Sequence, residues 1–343
     1  MKKICIRVDG NEIIATGHVM RCLSIAVQLR KIGADVVFVL ADARPASIIE
    51  DSGFAYIVLD SIWNDMETEI KGFADYLTDN QIKTVLLDSY FVTEKYLQAL
   101  SKIAKVCYID DLDKFIYPVH TIINYSLQCN KNYEKRYFDM GYNTKFLLGG
   151  KYVPLREEFD FLPYDVRRQV GKVMITTGGT DRLNITTKII ERIMSNPELR
   201  TLEYHIIVGR FNMNKDVIMN VAKPHPNIVI HENTSRISYF MRECDVAISA
   251  AGTTTFELTA CGIPSICLEI ADNQNGAVVW EDSGCMLYAG NAYKNQLDCL
   301  KQCEIALEKL CSDYKLRVEM SNNMQKMVDG KGAKRIAEYL IAM

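Results

Sequence analysis

Short apolar runs alternate with longer stretches of helical periodicity along most of the chain, and this alternation is the tightest constraint on its fold. A compact apolar run reads as a buried strand, and apolar spacing of three and four as a helix packed on one face. Strands are expected at 3–8, 34–40, 55–58, 84–87, 106–109 and 121–123, with helices at 17–31, 46–51, 64–79 and 93–103. Such βαβα order calls for parallel strands covered on both faces. Residues 128–164 are less regular; Pro154, Pro163 and the charged run from Arg156 mark an interdomain connection. A second series follows, with strands at 172–176, 203–208, 228–230, 246–249, 264–267 and 286–288. Its helices are expected at 184–194, 215–221, 237–242, 254–261, 274–282, 293–311, 313–327 and 332–343. At 343 residues the chain exceeds what one core ordinarily serves. The expected architecture is α/β, with two Rossmann-like domains, 1–160 and 161–343, whose parallel sheets face a central cleft.

Composition narrows the function classes. The net charge is −3 and no basic block stands out, which argues against a nucleic-acid partner. The apolar runs are too short to span a bilayer and no leader is recognisable, so the expectation is a soluble, cytoplasmic protein without integral membrane association. The 11 cysteines form no C-x-x-C pair, and Cys5, Cys107 and Cys267 lie inside apolar runs as small hydrophobes. Cys299 and Cys303 share a helix face but lack further ligands. No cofactor or metal is expected.

The loops after the strands carry the chemistry, because ligands of open α/β sheets bind beyond the strands' carboxyl ends. After the first strand, which ends in Arg7-Val8-Asp9, comes Thr16-Gly17-His18-Val19-Met20-Arg21-Cys22. A histidine at a helix N-terminus, where a second positive charge is disfavoured, suits a general base. The bland alternative is that His18 caps the helix or bonds a carbonyl. Thr176-Thr177-Gly178-Gly179-Thr180-Asp181 follows the first strand of the second half. It is neither a dinucleotide fingerprint nor a P-loop, yet its glycines let a ligand approach the backbone. Gly252-Thr253-Thr254-Thr255-Phe256-Glu257 opens a helix whose amides and hydroxyls suit a diphosphate, with Glu257 placed to accept ribose hydroxyls. Alternatively, Thr253 caps that helix and Glu257 complements its dipole. Asp272-Asn273-Gln274-Asn275-Gly276 offers neutral donors and acceptors for sugar hydroxyls, or is a polar loop.

Taken in order, the Gly-Gly loop, the G-T-T-T-x-E helix, the Gly262-x-Pro264 strand entry and the Asn273-Gln274 helix resemble the C-terminal half of GT-B glycosyltransferases. Arg7-x-Asp9, Gly17-His18-x-Met20-Arg21, Asp88-Ser89-Tyr90, Tyr108-Ile109-Asp110-Asp111, Asn124 and Tyr152-x-x-Leu155-Arg156-x-Glu158-Phe159 resemble the PseG/SpsG family. The resemblance covers essentially the whole chain. It implies hydrolysis of a UDP-linked 2,4-diacetamido-2,4,6-trideoxyhexose, the altrose sugar in the characterised member, to free sugar and UDP in pseudaminic acid-type biosynthesis. It implies His18 as catalytic base, Gly178, Gly179, Gly252, Thr253, Thr254 and Glu257 around UDP, and Asn273 and Gln274 facing the sugar. Asp9, Gly17, Arg21 and Tyr90 match family motifs and are candidate substrate contacts, whereas Asp9 and Asp110 either point to the cleft or cap the next helix. Arg156, in the connection, is expected to tie the domains together rather than touch substrate. The family commonly has glycine where Ala15 stands; a positive φ there would strain the alanine. Asp111-Leu112-Asp113 has the spacing of a metal-binding D-x-D but falls in a family loop, so the reaction is expected to be metal-independent. The rival readings are a GT-B glycosyltransferase that uses a UDP-sugar for surface polysaccharide, and a non-catalytic nucleotide-sugar-binding module that need not retain His18.

Overall fold

The computed structural model describes residues 2–127, 132–160, 164–209, 212–234, 236–274 and 276–343. The chain forms two compact units: Met1–Glu157 with Gly330–Met343, and Glu158–Asp329. The first holds strands β1 (Lys3–Val8), β2 (Asp35–Leu40), β3 (Ala55–Val58), β4 (Thr84–Asp88), β5 (Lys105–Ile109), β6 (Thr121–Asn124) and β7 (Lys145–Leu148). They make a seven-stranded sheet in the order β3-β2-β1-β4-β5-β6-β7, and every pairing is parallel. The second holds β8 (Lys172–Thr176), β9 (Glu203–Val208), β10 (Ile228–Glu232), β11 (Val246–Ala250), β12 (Ser265–Glu269) and β13 (Met286–Asn291). Its six strands run β10-β9-β8-β11-β12-β13, again all parallel. In each sheet the strand order reverses beside the unit's first strand, between β1 and β4 and between β8 and β11. These are the topological switch points, where loops diverge and leave room for a ligand.

The central strands are apolar on both faces because helices cover both. The helix Gly17–Lys31 buries Val19, Cys22, Leu23, Ala26 and Leu29 at three- and four-residue spacing. Arg7 is the exception within β1, fully buried among apolar neighbours. Its Nε and Nη2 donate to Glu69, and Nη1 to Asp9, each at 2.7 Å. Tyr96 and Ser61 hydroxyls donate to the same Glu69 carboxylate at 2.7 Å. A buried guanidinium is tolerated only when paired and hydrogen-bonded in this way.

Four expectations are corrected. The helix expected at 64–79 begins as a 3-10 turn, Met66–Glu69, which carries Glu69 inward to Arg7 before the α-helix Ile70–Asp79. The irregular stretch 128–164 contains a helix, Tyr133–Asp139, and β7; Tyr133, Tyr137 and Phe146 join them by ring packing rather than by aliphatic periodicity. The helix expected at 274–282 is a 3-10 turn, Asp272–Gln274, and a short helix, Val279–Asp282, with Gly276 at φ 92° between them. Finally, the units divide at Glu157/Glu158, and Gly330–Met343 joins the first unit rather than 161–343. The helix Gly332–Ala342 docks there: Arg335 donates to the Lys151 carbonyl at 2.9 Å, and the Thr121 and Tyr339 hydroxyls lie 2.8 Å apart. An amphipathic stripe shows that a helix covers a sheet but not which sheet. No helix among the described residues is long and apolar enough to cross a membrane.

Candidate functional site

In the first unit the switch point gathers His18 from the helix after β1 and Asp88 from the end of β4. His18 Nδ1 lies 2.6 Å from Asp88 Oδ1. Arg21, one helical turn on, donates from Nε to Asp88 Oδ2 and from Nη2 to Oδ1, both at 2.5 Å. Arg21 also pairs with Asp111 at 2.7 Å and donates to the Tyr125 hydroxyl. Burial pushes the Asp88 carboxyl up, but the Arg21 and His18 charges and hydrogen bonds outweigh it and hold Asp88 well below the usual carboxylate range. An ionised Asp88 only accepts, so His18 Nδ1 donates to it, and in the neutral imidazole the lone pair then falls on Nε2. Nε2 has no hydrogen-bond partner among the described residues. The ring of Tyr90 meets His18 edge-on at 4.4 Å. Burial, then the Asp111 charge, raises the Tyr90 phenol, which stays protonated.

The loop between β1 and that helix is folded on itself. Asn11 Oδ1 accepts from the Ile13 and Ile14 amides at 2.8 and 3.1 Å, and Asn11 bridges Ala15. Ala15 sits at φ 56°, the left-handed conformation that favours glycine. Gly17 is exposed, and a Cβ there would meet nothing within 4 Å. Thr16 precedes the helix without a side-chain cap, so the first amides stay unspent.

The structure separates the candidates of this unit by what their polar atoms already do. Asp9 spends one oxygen on Arg7 and the other on the Ala41 amide at 2.8 Å, tying β1 to the end of β2. Asp110 Oδ1 caps the turn after β5 through the Leu112 and Asp113 amides, at 2.9 and 3.0 Å. Both carboxylates of the D-x-D sequence pair with arginines, Asp111 with Arg21 and Asp113 with Arg136.

The second unit's switch point is built from backbone. Gly178, after β8, takes φ 78°, and a Cβ on Gly178 or Gly179 would meet nothing within 4 Å. From behind, Gly209 packs so close that a Cβ on it would stand 2.7 Å from Gly179 Cα. Asp181 closes the loop by accepting from the Ile185 and Thr186 amides at 2.8 and 3.0 Å. After β11, Gly252 leads into the helix Thr254–Cys261. Thr255 Oγ1 donates to the Gly252 carbonyl at 2.6 Å, whereas Thr253 is exposed and supplies no side-chain cap. Thr254 and Glu257 are half-buried on the first turn. Gln274 Oε1 accepts from the Ile270 amide at 2.8 Å, and its Nε2 lies 3.7 Å from the Cβ position of Gly252, so these two loops meet. Asn273 lies in the 3-10 turn, with its side chain outside the described residues.

This geometry sits in a known fold. The structure of Acinetobacter baumannii MurG matches with a TM-score of 0.72 at 12% identity over 100% of both chains. That of UDP-GlcNAc 2-epimerase from Neisseria meningitidis bound to UDP-GlcNAc matches with 0.65 at 14% identity, over 99% of this chain and 100% of that one. No family model matches the chain. Among curated proteins it is 27% identical over 262 residues to the Helicobacter pylori pseudaminic acid cytidylyltransferase and UDP-2,4-diacetamido-2,4,6-trideoxy-beta-L-altropyranose hydrolase, 75% of this chain and 42% of that one. It is 22% identical over 201 residues to the Bacillus subtilis spore coat polysaccharide biosynthesis protein SpsG, 58% of each. It is 23% identical over 282 residues to the Campylobacter jejuni UDP-2,4-diacetamido-2,4,6-trideoxy-beta-L-altropyranose hydrolase, 81% of this chain and 95% of that one. The chain is a homologue of these proteins, in a GT-B fold. It spans about half the length of the first two of them and nearly all of the third.

Sequence reasoning singled out His18 and Arg21 but gave Asp88 and Asp111 no role of their own. The signal was present for Asp88, an aspartate ending an apolar strand at 84–88. That β4 lies beside β1, rather than farther out, is set by strand order, which the sequence does not print.

Proposed function

We propose that this chain is a UDP-sugar hydrolase that acts in the cytoplasm on a UDP-linked 2,4-diacetamido-2,4,6-trideoxyhexose, foremost the altrose sugar, releasing free sugar and UDP. The observation that carries the reading is the His18–Asp88 pair at a switch point, its Nε2 unspent, in a homologue of proteins named for that hydrolysis. His18 Nε2 takes a proton from water as the water oxygen bonds to C1 of the sugar. The bond from C1 to the diphosphate oxygen breaks, and its electron pair leaves on UDP. Attack from the opposite face inverts C1. Asp88 steadies the imidazolium that forms, and Arg21 keeps Asp88 ionised and the ring aimed. In the second unit, the Gly178-Gly179 turn and the Gly252–Thr254 helix start would take the diphosphate through amides and hydroxyls, with no metal required. Glu257 would accept the ribose hydroxyls, and Asn273 and Gln274 would face the sugar. Asp9 and Arg21 act in this reading by positioning, while Tyr90 and Gly17 line the approach to His18.

The test is UDP release from UDP-2,4-diacetamido-2,4,6-trideoxy-β-L-altrose, without acceptor and with chelator present, beside His18→Asn. Release should fall by about a thousandfold or more in the variant, with UDP affinity kept. Release only when an acceptor is added would replace hydrolysis with transfer. UDP binding with no turnover of any UDP-sugar would leave a binding module.

A further inference from the structure

The amino ends of the first sheet carry a different chemistry from its carboxyl ends. A cavity of about 580 Å³ opens there, lined by Lys2, Lys83, Thr84, Lys102, Lys105 and His120 among others. These residues stand before or at the start of β1, β4, β5 and β6, and parallel strands bring them to one end. With strands of five or six residues rising ~3.3 Å per residue, the cavity lies roughly 16–20 Å from the His18 end. Among the described residues no aspartate or glutamate side chain lines it, although Met343, the last residue, does. Lys2 Nζ is fixed by the Leu340 and Ile341 carbonyls at 3.0 and 2.8 Å, and Lys105 Nζ by the Met343 carbonyl. His120 spends Nδ1 on the Thr121 hydroxyl at 2.9 Å. Among the described residues, the Lys83 and Lys102 side chains make no hydrogen bond or ion pair. The charges oppose one another: burial and then Lys105 lower the Lys2 ammonium, and burial, then Lys105 and Lys145, lower the His120 imidazole. Lys83 and Lys102, unpaired beside Lys2 and Lys105, give the recess a positive potential that an anion relieves.

We propose that this cavity is a binding site for a soluble polyphosphate anion, a small molecule bearing two or more phosphate charges. Lysine ammoniums act as point charges suited to phosphate, and the volume is that of a small-molecule pocket. A recess admits a free anion between its walls, whereas a flat membrane reaches only its rim. The position, away from the strands' carboxyl ends, separates it from the catalytic loops.

Pyrophosphate is titrated calorimetrically into the full chain at fixed ionic strength, with and without saturating UDP, and into a Lys83→Glu, Lys102→Glu double variant. One saturable site is expected, indifferent to UDP and weakened at least tenfold by the double variant, with the UDP titration unchanged. Lys83→Gln with Lys102→Gln should give a smaller loss in the same direction. Equal pyrophosphate affinity in wild type and both variants would overturn the proposal. So would displacement of pyrophosphate by UDP, which would place the anion at the nucleotide loops. Lysine-dependent sedimentation with anionic lipid vesicles, in place of saturable pyrophosphate binding, would overturn it in favour of a membrane surface. A chain that ignored UDP would sink the hydrolase reading, yet the lysine comparison would still decide this one.

Discussion

The two switch points have the same topology and opposite construction. In the first unit the space beside β1 is filled by charged side chains that hold one another: Asp88 takes His18 and the Nε–Nη2 edge of Arg21, and Arg21 Nη1 takes Asp111 and Tyr125. In the second unit the space beside β8 is bounded by glycines and threonines whose polar atoms belong mostly to the backbone. A proton-transfer group must be aimed to within a fraction of an ångström, which a locked set of side chains achieves. A diphosphate carries diffuse charge that many small amide dipoles satisfy, and any Cβ in the way is a cost. In the proposed reading the same strand reversal serves two tasks, and substitutions in the two loops should then fail differently.

The largest effect that would break this contrast is expected at Asp88→Asn. The amide presents a donor where an acceptor held Nδ1–H, so the imidazole turns over or loses its aim. UDP release should fall by about a hundredfold or more, in kcat rather than KM. Stability should fall as well, by about 3 kcal/mol at neutral pH, because Arg21 loses a buried partner. The sign with pH follows from the depressed carboxyl. Between its folded value and the ordinary ~3.9, the unfolded chain binds more protons than the native one. The Asp88 contribution is therefore present above about pH 4 and lost as pH falls below it. Urea midpoints of wild type and variant should converge from about pH 6 to about pH 3; parallel curves would show that Asp88 is not the anchor. A smaller effect of the other kind is expected at Gly252→Val. Its branches would crowd the Gln274 amide and cover the loop's backbone. KM should rise by about tenfold with kcat within threefold, the pattern of lost uniform binding. A drop in kcat alone would mean that this loop, too, aims the chemistry.

How much of this was legible in the sequence differs between the two loops for the same physical reason. Glycine and threonine after a strand mark a candidate backbone site locally, so Gly178, Gly179 and Gly252–Thr254 could be singled out from adjacent letters. The histidine cluster joins residues 18, 21, 88, 111 and 125, and no local pattern ties such distant positions. Strand positions were legible because burial on both faces leaves unbroken apolar runs; β1, β8 and the helices Gly17–Lys31 and Thr254–Cys261 fall where periodicity put them. The helix Tyr133–Asp139 and β7 were not, because tyrosines with bonded hydroxyls, such as Tyr133 to Asp110, read as polar when their rings are core. Arg7 inside β1 reads as exposed by composition; Asp9 takes only its Nη1, and Glu69, 62 residues on, takes Nε and Nη2.

The finest test concerns Ala15. At φ 56° it occupies a conformation that costs a side-chain-bearing residue about 1–2 kcal/mol, and the loop closed by Asn11 keeps it there. Ala15→Gly removes that strain. It also frees the unfolded chain, which costs roughly 0.4–1 kcal/mol of the gain. The balance is a stabilisation between about zero and about 1.6 kcal/mol, or a rise in Tm of a few degrees or less. A fall in Tm would mean that the loop relaxes around alanine and stores nothing. The second readout ties the loop to the chemistry. His18 is held from Asp88 and from its own helix, neither of which moves when Ala15 relaxes, so kcat should stay within twofold. If kcat instead rose or fell tenfold, the strained turn would be aiming His18, and the locked charges alone would not account for its position.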